Sequence, residues 1–264
     1  MKPAARTERS PEPMPDFDPH DYQPAPELLK DRVILVTGAG DGIGRAASLG
    51  FARLGARVGL LGRTQKKLET VYDEIVAAGY PQPDIAVMDL AKAQGPDYFQ
   101  LAESIESEYG RLDGLLHNAS MLGQLTPIEH YDVGLWTEVM HVNLTAPFVL
   151  TQVLLPLLKK SQDASIVFTS SGVGRVGRAF WGGYAVSKFG IEGLSQVLAD
   201  ETSETGQIRV NCVNPGRTRT AMRRAAYPGE DPESLPQPED VLAPYFYLMG
   251  PQARGTTGRS LDSQ

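Results

Sequence analysis

The sequence predicts an α/β fold, a three-layer αβα sandwich around a doubly wound parallel sheet of about seven strands. Short runs of four to six apolar residues recur without polar alternation, which is how strands buried on both faces of a parallel sheet read. Between them lie stretches of ten or more residues with apolar side chains spaced near the helical period. The glycine-rich and polar motifs follow the C-terminal ends of the runs, at the edge where such sheets bind ligands.

Strands are expected at 32–36, 56–61, 85–88, 112–116, 165–169 and 208–213. Helices are expected at 42–54, 65–77, 98–109, 135–158 and 184–202. Right-handed crossovers would align the strand ends along one edge. Residues 1–26 hold Pro3, Pro11, Pro13, Pro15, Pro19, Pro24 and Pro26 and almost no aliphatic side chains. That composition predicts a mobile tail, with Phe17 and Tyr22 as usable anchors. Residues 27–264 are expected to form a single domain, because a chain this long buries about three quarters of its unfolded surface in one core. A second proline cluster at 228–244 reads as a long loop.

Composition excludes several function classes. The 264 residues carry 25 Lys and Arg against 32 Asp and Glu, a net charge of −7, so general nucleic-acid binding is not expected. The lone Cys212 has no internal disulfide partner and fits a reducing compartment. Its place inside the sixth strand reads as a small buried apolar residue. The richest apolar stretch, 146–158, is interrupted by Pro147, Thr151, Gln152 and Pro156 and reads as too short for a membrane span. The N-terminus has no apolar signal core, and a cytoplasmic protein is expected. His20, His117, His130 and His141 lack ligand spacing, so no metal is expected. No GxSxG surrounds a serine, which argues against a hydrolase.

The first strand runs into Thr37-Gly38-Ala39-Gly40-Asp41-Gly42-Ile43-Gly44 and then a helix. Gly38 permits a tight turn, Gly42 removes a Cβ in the path of a pyrophosphate, and Gly44 lets helix and sheet approach. The first N–H groups of the helix attract the anion. The turn predicts a Rossmann-type dinucleotide site, its position after the first strand favouring this over a plain glycine-rich loop. NAD sites end the second strand with a carboxylate, but here Gly62-Arg63-Thr64 follows it. Arg63 offers a guanidinium suited to a 2′-phosphate, so NADP is preferred over NAD; the bland alternative is a solvated surface residue. Asp89, closing the third strand, reads as an acceptor for the adenine amino group or as a helix cap.

Tyr184-Ala-Val-Ser-Lys188 puts a phenol and an ammonium one turn apart on one helix face. A cation favours phenolate, and a phenol tuned toward neutrality can exchange a proton with a carbonyl or carbinol oxygen. In this setting the chain resembles the short-chain dehydrogenase/reductase family, in its single-domain branch with three residues between Tyr and Lys. The glycine turn of 37–44, His117-Asn118-Ala119-Ser120, Asn143, Ser171 thirteen residues before Tyr184, and Pro215-Gly216 with Thr220 match the family's motifs in order. The wording at 61–63 and 218–222 is similar to the YciK-like bacterial members.

The resemblance implies an NADP(H)-dependent oxidoreductase acting on a small-molecule carbonyl/alcohol pair. It implies Tyr184 as general acid/base, and Lys188 as binder of the nicotinamide ribose that also depresses the Tyr184 pKa, helped by the positive charge of the oxidised ring. Ser171 would hydrogen-bond the substrate oxygen, and Asn143 would hold a water that relays protons. Thr37, Gly38, Gly42, Ile43, Gly44, Arg63, Asp89, Asn118, Ala119, Lys188, Pro215, Gly216, Thr218 and Thr220 are the implied cofactor contacts. It also implies a homo-tetramer or homo-dimer and a mobile lid at about 218–238. The rival reading is a non-catalytic NADP(H)-binding sensor or interaction protein on the same fold.

Ser120 stands where the family has glycine, and a left-handed backbone there would strain it. The strand at 258–262 is a shortened closing strand, and the leader of 1–26 lies outside the family pattern. Arg175, Arg178, Arg217, Arg219, Arg223 and Arg224 crowd the serine and Pro-Gly motifs. They read either as steering for an anionic substrate or as cofactor contacts, loop salt bridges or solvated residues. Trp181 reads equally as pocket wall or core.

Overall fold

The aliphatic runs form strands because each alternates its side chains between two apolar layers. In β1 (Val33–Thr37), Ile34 and Val36 enter one core cluster while Val33 and Leu35 enter the other. The computed structural model describes residues 21–264. Its elements are β1, α1 (Gly42–Arg53), β2 (Arg57–Gly62), α2 (Gln65–Ala77), β3 (Asp84–Val87), α3 (Gly95–Tyr109) and β4 (Gly114–His117). Then come α4 (Val133–Met140), a π-turn (His141–Thr145), α5 (Ala146–Leu158), β5 (Ala164–Thr169), α6 (Gly182–Thr202) and β6 (Ile208–Asn214). The chain continues through α7 (Ala221–Ala226), α8 (Ala243–Met249) and β7 (Ser260–Asp262).

The seven strands are all parallel, in the order β3-β2-β1-β4-β5-β6-β7. The order reverses between β1 and β4, which opens a crevice over their C-terminal ends. On one face Phe51 of α1, Leu68 of α2 and Tyr245 of α8 pack on the sheet; on the other, Leu101 of α3, Leu154 of α5 and Ile191 of α6 do so. Cys212 is buried in β6 on this second face, as its sequence context predicts. At the opposite end of the strands, Asp163 ties Arg209 (3.0 Å) to Arg32 (3.3 Å).

The structure corrects the sequence reading in several places. The region read as a loop at 228–244 holds 3₁₀ turns at Pro232–Ser234 and Pro238–Val241 and leads into α8. Pro244 sits in the first turn of α8, where the missing N–H costs nothing. The expected 135–158 helix begins two residues earlier and contains the π-turn. The run Val133–Leu158 is 26 residues and, by length and composition, long enough to cross a membrane, contrary to the expectation from its interruptions. Here its Ala146, Leu150, Leu154, Leu157 and Leu158 are core residues under the sheet. Of the proline-rich leader, 1–20 and with it Phe17 lie outside the described residues. Tyr22 docks, its ring 5.6 Å from that of Tyr247. Ser120 is not strained: among the described residues the non-glycine positions with left-handed φ are Glu27, Asp31 and Phe180.

Candidate active site

The C-terminal ends of β1, β2, β4, β5 and β6 converge on a cavity of about 590 Å³, a size suited to a cofactor with a small substrate. The turn after β1 forms one wall. Gly38 and Gly42 have φ of +70° and +51°, a region that favours glycine. A Cβ on Gly44 would overlap the Gly38 carbonyl oxygen and come within 2.6 Å of Asn118 Nδ2. Asp41 caps α1 by accepting from Gly42 N at 2.8 Å and pairs with Lys67, which holds its carboxyl below the usual range. Thr37 works from behind: its Oγ1 accepts from Asn118 N and Ala119 N, both at 3.0 Å, joining the β1 and β4 ends.

Arg63, at the end of β2, is exposed, lines the cavity and has no ion pair among the described residues. Asp89 lines the same end, and its Oδ1 accepts from Ala91 N at 3.1 Å, closing a turn; it does not cap a helix, since α3 starts at Gly95 and is capped by Gln94. These residues fit a phosphorylated dinucleotide: a turn stripped of side chains, a helix N-terminus, and a free guanidinium at the ribose end.

Ser171, Tyr184 and Lys188 line the same cavity. Ser171 follows β5 in extended backbone and starts a 3₁₀ turn, Gly172–Gly174. Tyr184 and Lys188 are buried one turn apart on α6. Lys188 Nζ donates to the Thr169 carbonyl at 2.8 Å and lies 5.5 Å from the Tyr184 ring. Burial lowers the Lys188 ammonium to about 8, with Cys212 and Glu192 opposing. Burial pushes the Tyr184 phenol up to about 12, and the Ser171 hydroxyl is what pulls it back. The net shift of Tyr184 in the protein alone is thus upward: the ammonium faces the Thr169 carbonyl, and desolvation outweighs the rest.

Asn143 sits in the π-turn, buried and outside the cavity wall. Its Oδ1 accepts from Met121 N (2.8 Å), and its Nδ2 donates to Met121 O (2.9 Å) and Ser187 Oγ (3.0 Å). The side chain thus clamps the β4 loop to α6. His117 Nε2 lies 2.8 Å from Thr151 Oγ1, its ring stacks on Phe168, and burial lowers it to about 3.

The family profile described as short chain dehydrogenase matches residues 32–231. The chain belongs to the short-chain dehydrogenase family. It is 52% identical over 243 residues to the uncharacterized oxidoreductase YciK of Escherichia coli (strain K12), covering 92% of this chain and 96% of that one. A short-chain dehydrogenase from Shigella flexneri 2a str. 301 complexed with NADP superposes with a TM-score of 0.89 at 51% identity, covering 91% of this chain and all of that one. One from Escherichia coli CFT073 complexed with NADPH gives the same TM-score at 52% identity, with the same coverage. This short-chain dehydrogenase is thus an oxidoreductase on a Rossmann-type nucleotide-binding fold.

Of the residues expected at the cofactor, Gly38, Gly42, Ile43, Asn118, Ala119, Pro215, Gly216, Thr218 and Thr220 also line the cavity, while Thr37 and Gly44 support it from outside. Sequence reasoning missed Thr169, whose carbonyl fixes Lys188, and Leu122 and Met222, which pack beside Tyr184. Nothing in their types or spacing marks them. Trp181 belongs to the wall, its ring centroid 5.7 Å from that of Tyr184.

The arginine cluster is largely consumed by the loops. Arg175 bonds Asp262 at 2.6 Å and Glu192 at 3.4 Å, Arg219 bonds Glu233 at 2.7 Å, and Arg223 bonds Glu230 at 2.6 Å. Of the six, Arg223 alone lines the cavity.

Proposed function

We propose that the protein is an NADP(H)-dependent oxidoreductase that interconverts a carbonyl and an alcohol, with Tyr184 as general acid/base. The observation that carries this reading is that Ser171, Tyr184 and Lys188 share one cavity with the glycine turn. The dinucleotide supplies the hydride. Ser171 donates a hydrogen bond to the substrate oxygen and stabilises charge developing there. A phenol at about 12 keeps its proton at neutral pH, so Tyr184 is ready to protonate that oxygen in the reductive direction. Lys188, anchored by Thr169, presents a cation to the cofactor ribose. Gly38, Gly42, Ile43 and the α1 N-terminus take the pyrophosphate, and Arg63 takes the 2′-phosphate. Asp89 faces the adenine, Asn118 and Ala119 the ribose, and Pro215, Gly216, Thr218 and Thr220 the nicotinamide. Asn143 acts by holding the Met121 loop, and Thr37 and Gly44 by keeping the turn in register.

We take residues 27–264 as one domain with 218–238 as its substrate lid, in a cytoplasmic homo-dimer or homo-tetramer. Exposed Phe148 on α5 and Val186 and Phe189 on α6 support the association. The relatives complexed with NADP and NADPH support the cofactor choice. The test is a carbonyl screen with NADPH alongside Tyr184→Phe. Turnover that falls at least about a hundredfold in Tyr184→Phe, the scale of general acid–base catalysis, supports the reading. NADPH binding with no turnover by either protein would favour the non-catalytic sensor.

A further inference from the structure

The part of the cavity beside Tyr184 has a chemistry of its own. Leu122, Trp181 and Met222 pack against the cluster of Val173, Tyr184 and Ala185. The Trp181 ring centroid lies 5.7 Å from that of Tyr184 and 6.0 Å from that of Tyr227. These rings are in contact with one another at such spacing and together present an aromatic surface on which flat apolar rings pack well.

The nearby cations are already engaged. Arg223 donates to both Glu230 carboxylate oxygens at 2.6 Å, and its guanidinium carbon lies 3.8 Å from the centroid of the Tyr227 ring. Arg178 donates to the Tyr227 hydroxyl at 3.0 Å. Arg219 bonds Glu233 and the Pro232 carbonyl, both at 2.7 Å. Arg217 and Arg224 are exposed and outside the cavity wall. Of the other wall cations, Lys67 pairs with Asp41 and Lys188 holds the Thr169 carbonyl. Arg63 follows β2, three strands across the sheet from β5, about 14 Å at the usual strand spacing. A carboxylate or phosphate beside Tyr184 would lose water and meet as its nearest wall cation only Lys188, which already holds the Thr169 carbonyl; burying a poorly paired charge costs far more than burying a neutral ring.

Resting on the oxidoreductase reading, we infer that the substrate pocket selects neutral, apolar cyclic or aromatic carbonyl compounds and their alcohols, and rejects anionic ones. Leu122, Trp181 and Met222 set that specificity.

The test uses the full chain saturated with NADP⁺, so that ketones bind without reacting. Two matched pairs are titrated by saturation-transfer NMR: cyclohexanone against 4-oxocyclohexanecarboxylate, and acetophenone against 4-acetylbenzoate. The neutral member of each pair should bind at least about tenfold more tightly, because the carboxylate is stripped of water and poorly paired. Met222→Arg, which adds a cation, should narrow the gap, and Trp181→Ala should weaken the neutral ketones. Equal or tighter binding of the carboxylates, or no signal from either neutral ketone, would overturn the assignment. A separate fluorescence titration with NADPH reads the cofactor site. Failure there would count against the oxidoreductase reading, whereas failure of the ketone pairs alone would count against the pocket assignment.

Discussion

Replacing Lys188 by methionine should stabilise the fold while it removes activity. Lys188 is buried and donates to the Thr169 carbonyl at 2.8 Å. Its ammonium drops from 10.5 to about 8 because burial disfavours the charge. At about 1.4 kcal/mol per pH unit, this costs the native state about 3 kcal/mol at pH 7. Methionine fills similar space without charge but leaves the Thr169 carbonyl without that donor, a loss of about 1 kcal/mol. Lys188→Met should therefore be more stable by about 2 kcal/mol at pH 7. The sign of the pH effect follows from the lowered pKa. Between about 8 and 10.5 the unfolded chain binds the proton and the native protein does not, so the wild type gains stability as pH rises. By pH 9 its handicap should have shrunk by about 1.4 kcal/mol. Urea unfolding of both proteins at pH 7 and pH 9, followed by circular dichroism, measures the gap directly. A gap that does not change with pH, or a methionine variant less stable at pH 7, would refute the reasoning.

Other substitutions probe the surrounding site. Arg63→Ala should lower NADPH affinity by about ten- to a hundredfold and leave NADH affinity unchanged, since a charge-assisted hydrogen bond is worth about 1.5–3 kcal/mol; titration with both cofactors checks it. Gly44→Ala should weaken NADPH binding and lower stability by about 1–3 kcal/mol, because the new methyl meets rigid Gly38 backbone; thermal unfolding and the same titration read both effects. Glu192, buried on α6, accepts from Ser170 Oγ at 2.5 Å and Ser260 Oγ at 2.8 Å and holds the Lys188 pKa up. Glu192→Gln should move the Lys188-dependent rise in stability to lower pH, seen as unfolding free energy against pH.

Much of this architecture is legible in the sequence because a parallel sheet buries both faces of each strand. Runs such as 165–169 then stand out without alternation, and β5 starts one residue earlier. α8 escaped because its seven residues are almost all buried, which erases the helical period, and because Pro244 reads as a breaker when it is a starter. The π-turn at His141–Thr145 escaped because one slipped hydrogen bond leaves no compositional trace. At the site, Gly38, Gly42, Ser171, Tyr184 and Lys188 are legible because their chemistry demands those residue types at those places. Electrostatic partners are not. The charge of Arg175 is plain in the sequence, but Asp262, which neutralises it, comes 87 residues later. The same holds for the Tyr184 pKa, where burial decides and spacing alone suggests the opposite sign.

The most direct test of the whole account is a crystal structure of the protein soaked with NADP⁺. The account predicts the pyrophosphate on the Gly38–Gly42 turn, the 2′-phosphate on Arg63, and nicotinamide carbon 4 facing a space within reach of both Ser171 and Tyr184 hydroxyls, about 3–3.5 Å from a reacting atom placed there. A dinucleotide bound elsewhere, or one whose nicotinamide points away from Tyr184, would contradict it.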